Sequence, residues 1–265
     1  MLSVGVKELV EFSCRRGDLV HEGVAGPSAR EGMLAHKKLQ SGKADSELAE
    51  VSLSGEFECL DETVRIQGRV DLIELETAIP VVTEIKSSYV DPQHLPDSVR
   101  ELQWAQLKIY GALLFAADLG HPITSDQVCL RLSTFNLRDE QLYPEEVRIA
   151  RTQLEDFLLD ALQRWTAWQL QVAAFRAELQ LSAADLEFPF DGYRPGQYEL
   201  AASVFRCLRG GNKLLCEAPT GIGKTVSSLF PACKALGEQH IDQVAYLTAK
   251  TSGREAAFAA IEQLR

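Results

Sequence analysis

Residues 64–86 read VRIQGRVDLIELETAIPVVTEIK, and this stretch decides how the rest of the chain is interpreted. Branched apolar residues dominate it on both sides of a polar turn, which predicts two β-strands that follow one another. Glu84 and Lys86 lie two positions apart on the second strand, so their side chains project to the same face. If the two strands pair, Asp71 joins them, and two carboxylates and an ammonium share one small volume.

Carboxylates that close to each other are unfavourable unless a cation neutralises them. Oxygen ligands of this kind suit Mg²⁺ or Mn²⁺. Such an ion could polarise a phosphodiester, while Lys86 orients a water molecule or offsets charge on the phosphate. The alternative is that these residues form only an exposed cross-strand salt bridge, worth about 0–1 kcal/mol. Lys86 is the only lysine of the chain with an acidic residue two positions before it.

Length and composition describe an ordinary globular protein, with 265 residues, 46% hydrophobic and 25% charged. These values exclude disordered and fibrous chains. No apolar run approaches the ~18 residues that cross a bilayer, and the charged N-terminus does not resemble a signal peptide. Six scattered cysteines without a CxxC pair predict reduced thiols and no cysteine-held metal or cluster. We therefore expect a soluble, cytoplasmic protein without a membrane partner.

Charge is unevenly distributed along the chain. Overall, 27 Lys+Arg stand against 38 Asp+Glu, a net charge of −11, which argues against an unspecific coat for nucleic acid. Residues 1–185 carry the acidic excess, whereas residues 186–265 are nearly balanced. Proline and glycine break a helical pattern within residues 181–197. We predict two domains, 1–182 and 183–265.

The hydrophobic pattern predicts an α/β fold in the order αα-βββ-α-β-α, a mixed sheet flanked by helices. The second helix begins with the serine–glutamate spacing of a capping box, Ser28 to Glu31. The predicted helices are Val4–Cys14, Ser28–Gln40, Val99–Leu119 and about Pro144–Leu181, and the predicted strands fill 51–86 and 127–135.

Three further residues accompany the Glu84–Lys86 pair in the sequence. His36 lies late on the second predicted helix, and Gln106 and Tyr110 lie four positions apart on one helical face. Taken singly, His36 also fits a surface position, and Gln106 and Tyr110 also fit an ordinary amphipathic helix.

The order of these features resembles the RecB-type branch of the PD-(D/E)XK nucleases. A helical histidine is followed by G-x-x-D at Gly68–Asp71, then by E-x-K at Glu84–Lys86, and then by Q-x-x-x-Y. The resemblance covers about residues 1–180 and implies a restriction-endonuclease-like mixed sheet. Glu84 stands where that branch often has aspartate.

The same resemblance implies roles for individual residues. Asp71 and Glu84 would be metal ligands and Lys86 the catalytic lysine. His36 and the backbone carbonyl of Ile85 would be additional ligands. Gln106 and Tyr110 would position the DNA strand and the lysine, completing the catalytic set.

A second signal lies in residues 214–225, LLCEAPTGIGKT, where an apolar strand is predicted to enter a glycine turn and then a helix. Gly221 and Gly223 would let backbone N–H groups approach phosphates at a helix N-terminus. Lys224 would reach the β- and γ-phosphates of ATP, and Thr225 would bind Mg²⁺. The alternative is a glycine turn with a solvated lysine, since Ala218 replaces the usual first glycine.

Residues 193–197 (YRPGQ), 217–225 (EAPTGIGKT) and 245–251 (AYLTAKT) together resemble the opening motifs of the XPD/DinG family of superfamily 2 DNA helicases. This implies a partial RecA-like motor domain in which Gln197, with Tyr193 or Arg194, contacts adenine. The region Thr248–Thr251, predicted to follow a strand, would approach DNA. No Walker B acid follows Lys224, so we expect a truncated motor, weak ATP binding, and the remainder of the helicase beyond Arg265.

We therefore predict a metal-dependent DNA nuclease coupled to an ATP-dependent helicase, acting on single-stranded or forked DNA in repair or processing. An alternative is a catalytically silent module that binds DNA and docks a helicase. A nucleotide-binding regulator without a DNA function would require the nuclease pattern to be coincidental.

Overall fold

A computed structural model describes residues 1–17, 26–28, 30–33, 46–120 and 122–264. These residues form two compact units, Met1–Gln169 and Leu170–Arg265, divided within a long helix ahead of the predicted boundary. Among the described residues, no helix combines the length and the apolar character needed to span a bilayer.

The first unit is built on a six-stranded mixed sheet flanked by helices, as predicted. Strand order along the sheet is β1-β3-β4-β5-β6, with β2 paired to β3; β1–β3 and β4–β5 are parallel, and the other pairs are antiparallel. The elements are β1 Leu2–Gly5, α1 Val6–Ser13, β2 Glu47–Cys59, β3 Glu62–Glu74, β4 Val81–Ser88, α2 Asp97–Ala116, β5 Gln127–Asn136, β6 Leu142–Ala150 and α3 Arg151–Ala184.

One edge of strand β3 pairs with two different strands, and the candidate site lies where one pairing ends and the other begins. Its first half pairs with β1 at residues 64–67, and its second half pairs with β4 at residues 72–74. The register Leu72↔Thr83 places Asp71 opposite Glu84, directly beyond the last paired residues. The sheet therefore forks at residues 68–71, and these residues line the opening.

One apolar core supports the sheet. Strand β4 is buried on both faces from Val81 to Ile85, as expected for a central strand with a parallel neighbour. Helix α2 packs into the same core through Leu107, Ile109 and Leu113, all fully buried. The two residues that precede Lys86 are thus buried, and Lys86 itself is half-buried, at the edge of this core.

Two predicted helices differ from the structure at their first residues. The segment predicted as a helix from Val4 begins as β1, and helix α1 starts only at Val6, because residues 2–5 pair with β3. The predicted helix from Pro144 is wrong over its first seven positions, which form β6 up to Ala150. Val147 and Ile149 suit either period, and pairing with β5 decides between them.

The second unit contains three further helices, α4 Gln197–Arg209, α5 Lys224–Gly237 and α6 Thr251–Gln263. The strands predicted ahead of the glycine turn and ahead of Thr248–Thr251 are absent from the described residues, so these two predictions are wrong. Leu215 and Leu247 are 101% and 91% exposed. A strand needs a neighbouring strand for its backbone groups, and the described residues of this unit form none. A RecA-like sheet is therefore not seen.

The predicted capping box is confirmed. Ser28 donates from its backbone N–H and from its hydroxyl to Glu31 Oε2, at 2.9 Å and 2.6 Å, and residues 30–33 are helical. The rest of the predicted helix, including His36, lies outside the described residues.

Candidate active site

Lys86, Glu84 and Gln106 form a closed triangle of hydrogen bonds. Lys86 Nζ donates to Glu84 Oε1 at 2.7 Å and to Gln106 Oε1 at 3.0 Å. Gln106 Nε2 donates to the same Glu84 oxygen at 2.7 Å. The Glu84 side chain is 6% exposed and that of Lys86 26% exposed, so the ammonium faces the opening while the carboxylate lies beneath it. The structure does not show the exposed cross-strand salt bridge considered from the sequence, because Lys86 pairs with Glu84 of its own strand and the Glu84 carboxylate is buried.

Asp71 reaches the same region across the fork in the sheet. Its Oδ2 accepts a hydrogen bond from the backbone N–H of Ile85 at 2.7 Å. The carboxylate thus takes the place that a strand carbonyl would have in a continuous ladder. Asp71 is 9% exposed, and the bond fixes it beside the peptide that joins Glu84 to Lys86. The structure therefore brings Asp71, Glu84, Ile85, Lys86 and Gln106 into one site.

Tyr110 of helix α2 contacts strand β3 at the fork. Its hydroxyl donates to the carbonyl oxygen of Arg69 at 2.9 Å, within the stretch of β3 that lies between its two strand partners. Its ring lies against Gly68, where an added Cβ would sit 2.8 Å from Tyr110 Cε1 and 2.7 Å from Val6 Cγ2. Contacts that short do not occur for real Cβ atoms, so glycine is required at position 68 by close approach rather than by a special φ.

The electrostatics of Tyr110 place both carboxylates near its hydroxyl. Burial, followed by the charges of Glu84 and Asp71, raises the pKa of Tyr110 to about 12, against the lowering effect of its hydrogen bonds. Two groups on different strands act on one hydroxyl because their side chains converge on the face that α2 covers. Tyr110 is neutral at ordinary pH, so its hydroxyl remains a donor.

The donor set fits a hard divalent ion with few protein ligands. Two carboxylates and the carbonyl of Ile85 are oxygen donors, and Mg²⁺ is commonly held by one or two carboxylates while it keeps several water molecules. Within the described part of the chain, no three His, Cys, Asp or Glu side chains are grouped closely enough to hold an ion by themselves. His36, predicted as an additional ligand, lies outside the described residues.

A contact that the sequence did not indicate anchors the helix predicted to carry His36. Tyr89, directly after β4, donates its hydroxyl to Glu31 Oε1. The pKa of Glu31 is lowered to about 2, because Ser28 and then Tyr89 donate hydrogen bonds to its carboxylate. An added Cβ at Gly32 would lie 3.4 Å from Ser87 Oγ, so this helix begins against the end of the strand that bears Lys86.

Both glycines of the glycine turn in the second unit are left-handed, and a helix follows them. Gly221 and Gly223 have φ of 85° and 86°, a left-handed conformation that favours glycine, and α5 begins at Lys224. Lys224 Nζ donates to the carbonyl oxygens of Ala218 and Pro219 at 2.8 Å and 2.7 Å. Thr225 follows in the first turn of the helix and is half-buried.

Residues 193–197 lie against this turn. Arg194 Nη1 donates to the carbonyl oxygen of Gly221 at 2.6 Å, and Gln197 Oε1 accepts from the backbone N–H of Arg194 at 2.9 Å. Gln197 is 2% exposed, and an added Cβ at Gly223 would lie 2.5 Å from its Nε2. The two segments that the sequence singled out therefore form one cluster, in which Gln197 packs under the loop.

Comparison with known proteins gives a match over most of the chain, and two of the partial matches concern a curated protein and a solved structure. A stretch of 46 residues, 17% of this chain, is 37% identical to a protein of Methanocaldococcus jannaschii named "Probable ATP-dependent helicase". The matched stretch spans only 7% of that protein's length. The crystal structure of SSO0001 matches with a TM-score of 0.40 at 20% identity, covering 61% of this chain and 76% of that one.

The family match covers the sheet and the site described above. The model of the PD-(D/E)XK nuclease superfamily matches residues 11–199, which include β2 to β6, the fork at residues 68–71 and the Lys86 triangle. With the family's sheet in place and its acid-x-lysine strand at the opening, the chain belongs to the PD-(D/E)XK nuclease superfamily.

Proposed function

We propose that the first unit is a metal-dependent deoxyribonuclease that hydrolyses phosphodiester bonds. One observation carries the proposal: Lys86 Nζ lies 2.7 Å from a buried glutamate oxygen, at the edge of an opening where Asp71 is fixed on the next peptide. A solitary surface ion pair does not require a second carboxylate and an amide around it, whereas a phosphate-cleaving site does.

The residues have separable tasks in this proposal. Asp71 and Glu84, with the carbonyl of Ile85 and with His36, would hold Mg²⁺ or Mn²⁺. The ion, when bound, supplies Lewis-acid polarisation of the phosphate and a more acidic water molecule. Lys86 places a positive charge where negative charge develops on the phosphate. Gln106 fixes the Lys86 ammonium relative to Glu84, and Tyr110 keeps the fork open through Arg69.

The test is cleavage of labelled single-stranded, forked and duplex DNA with Mg²⁺, with Mn²⁺ and with EDTA. We expect cleavage to require the metal and to be lost in Lys86→Ala and in Glu84→Gln, while Lys213→Ala, which removes an exposed lysine of the second unit, cleaves like wild type. Undiminished cleavage by either site variant would overturn the assignment.

Metal titration separates this proposal from a catalytically silent DNA-binding module. Calorimetry with Mn²⁺ should show binding to the wild-type chain that is lost in Asp71→Asn and Glu84→Gln. DNA binding without Mn²⁺ binding at these carboxylates would favour the silent module.

We further propose that the second unit binds ATP and couples the nuclease to an ATP-dependent DNA helicase in DNA repair or processing in the cytoplasm. Two left-handed glycines before Lys224 and the packing of Gln197 under them support nucleotide binding. Thr225 would bind the Mg²⁺ of the nucleotide, Gln197 the adenine, and Thr248–Thr251 a DNA strand. For residues 1–265 the expected result is weak ATP binding without hydrolysis. In a chain that also carries the remaining helicase motifs, we expect ATP to stimulate cleavage of forked DNA and a non-hydrolysable analogue to have no such effect.

A further inference from the structure

The surface beside Lys86 reverses the charge of the chain as a whole. A cavity of about 290 Å³ between α1 and α2 reaches Lys86 and Gln106 and is lined on its other side by Lys7, Arg15 and Arg16. Among its described lining residues four are cationic and one, Glu11, is a carboxylate. The chain has a net charge of −11. A local excess of cations on an acidic protein is the signature of a site for an anionic partner.

Helix α1 and the residues directly after it supply three of these cations. Lys7 lies one helical turn from Glu11 on α1, and Arg15 and Arg16 follow the end of the helix at Ser13. Glu11 pairs with Arg15 at 3.6 Å, an exposed pair that water screens. Lys7 and Arg16 are exposed and have no ion pair with the described residues that would occupy their charge.

A second cavity adjoins the first at Arg16. It measures about 790 Å³ and lies between α2, α3 and β6, with Arg16 common to both cavities. Three of its cations are already engaged: Arg100 pairs with Glu145, Lys108 lies over the Phe157 ring, and Arg164 pairs with Asp160. Its half-buried Trp104 adds an aromatic surface, and Asp97 and Glu101 add acidic ones.

We propose that the two adjoining cavities form one groove, and that this groove holds the sugar–phosphate backbone of one DNA strand on one side of the scissile phosphate. Lys7, Arg15 and Arg16 contact successive phosphates, and the strand continues toward Trp104, on which a base can stack. Proteins that bind single strands combine a basic groove with aromatic surfaces in this way. The inference rests on the proposed nuclease function, because Lys86 marks the point where the strand enters the site.

The test measures DNA binding by the triple variant Lys7→Gln/Arg15→Gln/Arg16→Gln. The fluorescence anisotropy of a labelled oligothymidylate reports binding, in EDTA and at a series of salt concentrations. The matched control, Arg65→Gln/Arg138→Gln/Arg148→Gln, removes three exposed arginines that line neither cavity. For single strands each lost phosphate contact lowers the salt slope by about 0.7. The groove variant should therefore lose about 2 in slope and bind at least about tenfold more weakly, and the control should keep the wild-type slope.

The outcomes separate the groove from the nuclease. Equal losses in both triple variants, a wild-type slope in the groove variant, or tighter wild-type binding of a duplex than of a single strand of the same length would overturn the groove. In cleavage assays we expect the groove variant to raise KM and to keep kcat at saturating DNA, since these contacts bind substrate and transition state alike. A wild-type chain that binds through the groove but cleaves no DNA with Mg²⁺ or Mn²⁺ would refute the nuclease and leave the groove standing.

Discussion

Gln106 contacts both ends of the Glu84–Lys86 pair, accepting from Lys86 Nζ at 3.0 Å and donating to Glu84 Oε1 at 2.7 Å. It sits on α2, so a helix rather than the strand itself sets the position of the ammonium. Because a Glu84–Lys86 contact alone would leave the lysine free to adopt other rotamers, this amide fixes the position of the ammonium, and in the proposed nuclease it would position the catalytic lysine.

Replacing Gln106 with leucine should lower kcat by about tenfold to a hundredfold, the usual effect of an ångström-scale displacement of a catalytic group. KM should change little, because the cations proposed to bind the DNA phosphates remain. The matched control is Gln163→Leu, which removes an exposed amide from α3. A rise in KM at constant kcat would contradict a positioning role and would indicate that Gln106 binds substrate instead.

Replacing Gly68 with alanine should destabilise the first unit by about 1–3 kcal/mol, the usual cost of overpacking. The new Cβ would meet Tyr110 and Val6 at under 3 Å. All three tryptophans lie before residue 170, so tryptophan fluorescence during urea unfolding reports on this unit alone.

Gly5→Ala is the matched control, because an added Cβ there meets nothing within 4 Å and its φ of −78° suits alanine. It should leave the free energy of unfolding unchanged or raise it by about 0.4–1 kcal/mol. Equal effects of the two substitutions would mean that the Tyr110 ring does not pack against β3.

Much of the sheet could be predicted from the sequence because its signals are local. Strands β2 to β5 alternate or are uniformly apolar, and the spacing of Glu84 and Lys86 fixed their common face. The fork could not be predicted in this way. It depends on β1, four residues that pair with a segment some sixty positions away. No local pattern distinguishes so short a strand from the first turn of the helix that follows it.

The second unit shows the opposite outcome. The glycine turn and helix α5 were predicted correctly, because glycine and the helix start are encoded within a few residues. The apolar runs beside them were predicted as strands and are wrong, since a strand forms only when a neighbour accepts its hydrogen bonds. The roles of the loop residues in ATP binding, like those of Asp71 and Glu84 in metal binding, stay predictions.

Removing the Tyr110 hydroxyl should make stability less dependent on pH. The pKa of Tyr110 is about 12 in the folded chain against 10 for the ordinary phenol. Below pH 10 both states keep the proton and the stabilisation is fully present. As the pH rises from 10 to 12 the unfolded phenol ionises first, so stability falls. Between pH 9 and pH 11, wild type should lose about 1.4 kcal/mol more than Tyr110→Phe, as seen by tryptophan fluorescence in urea.

Tyr143→Phe is the control for that measurement. The pKa of Tyr143 is also raised to about 12, because Asp139 accepts its hydrogen bond, but solvent reaches this pair and screens it. We expect Tyr143→Phe to follow wild type more closely than Tyr110→Phe does. The reverse order would show that burial does not control the Tyr110 proton.

Replacing Lys224 with glutamine should weaken binding of Mg-ATP at least about tenfold, the loss of one charge-assisted contact to phosphate. In the structure the Lys224 ammonium donates hydrogen bonds to the carbonyl oxygens of Ala218 and Pro219, across the loop. A phosphate that binds in the loop would replace both bonds. The replacement is favourable for the charged ammonium and not for a neutral amide. Calorimetry with Mg-ATP measures the difference, with Lys213→Gln as the control that removes an exposed lysine ahead of the loop. Equal affinities of Lys224→Gln and wild type would show that the phosphates bind elsewhere, and the glycine turn would then be only a turn.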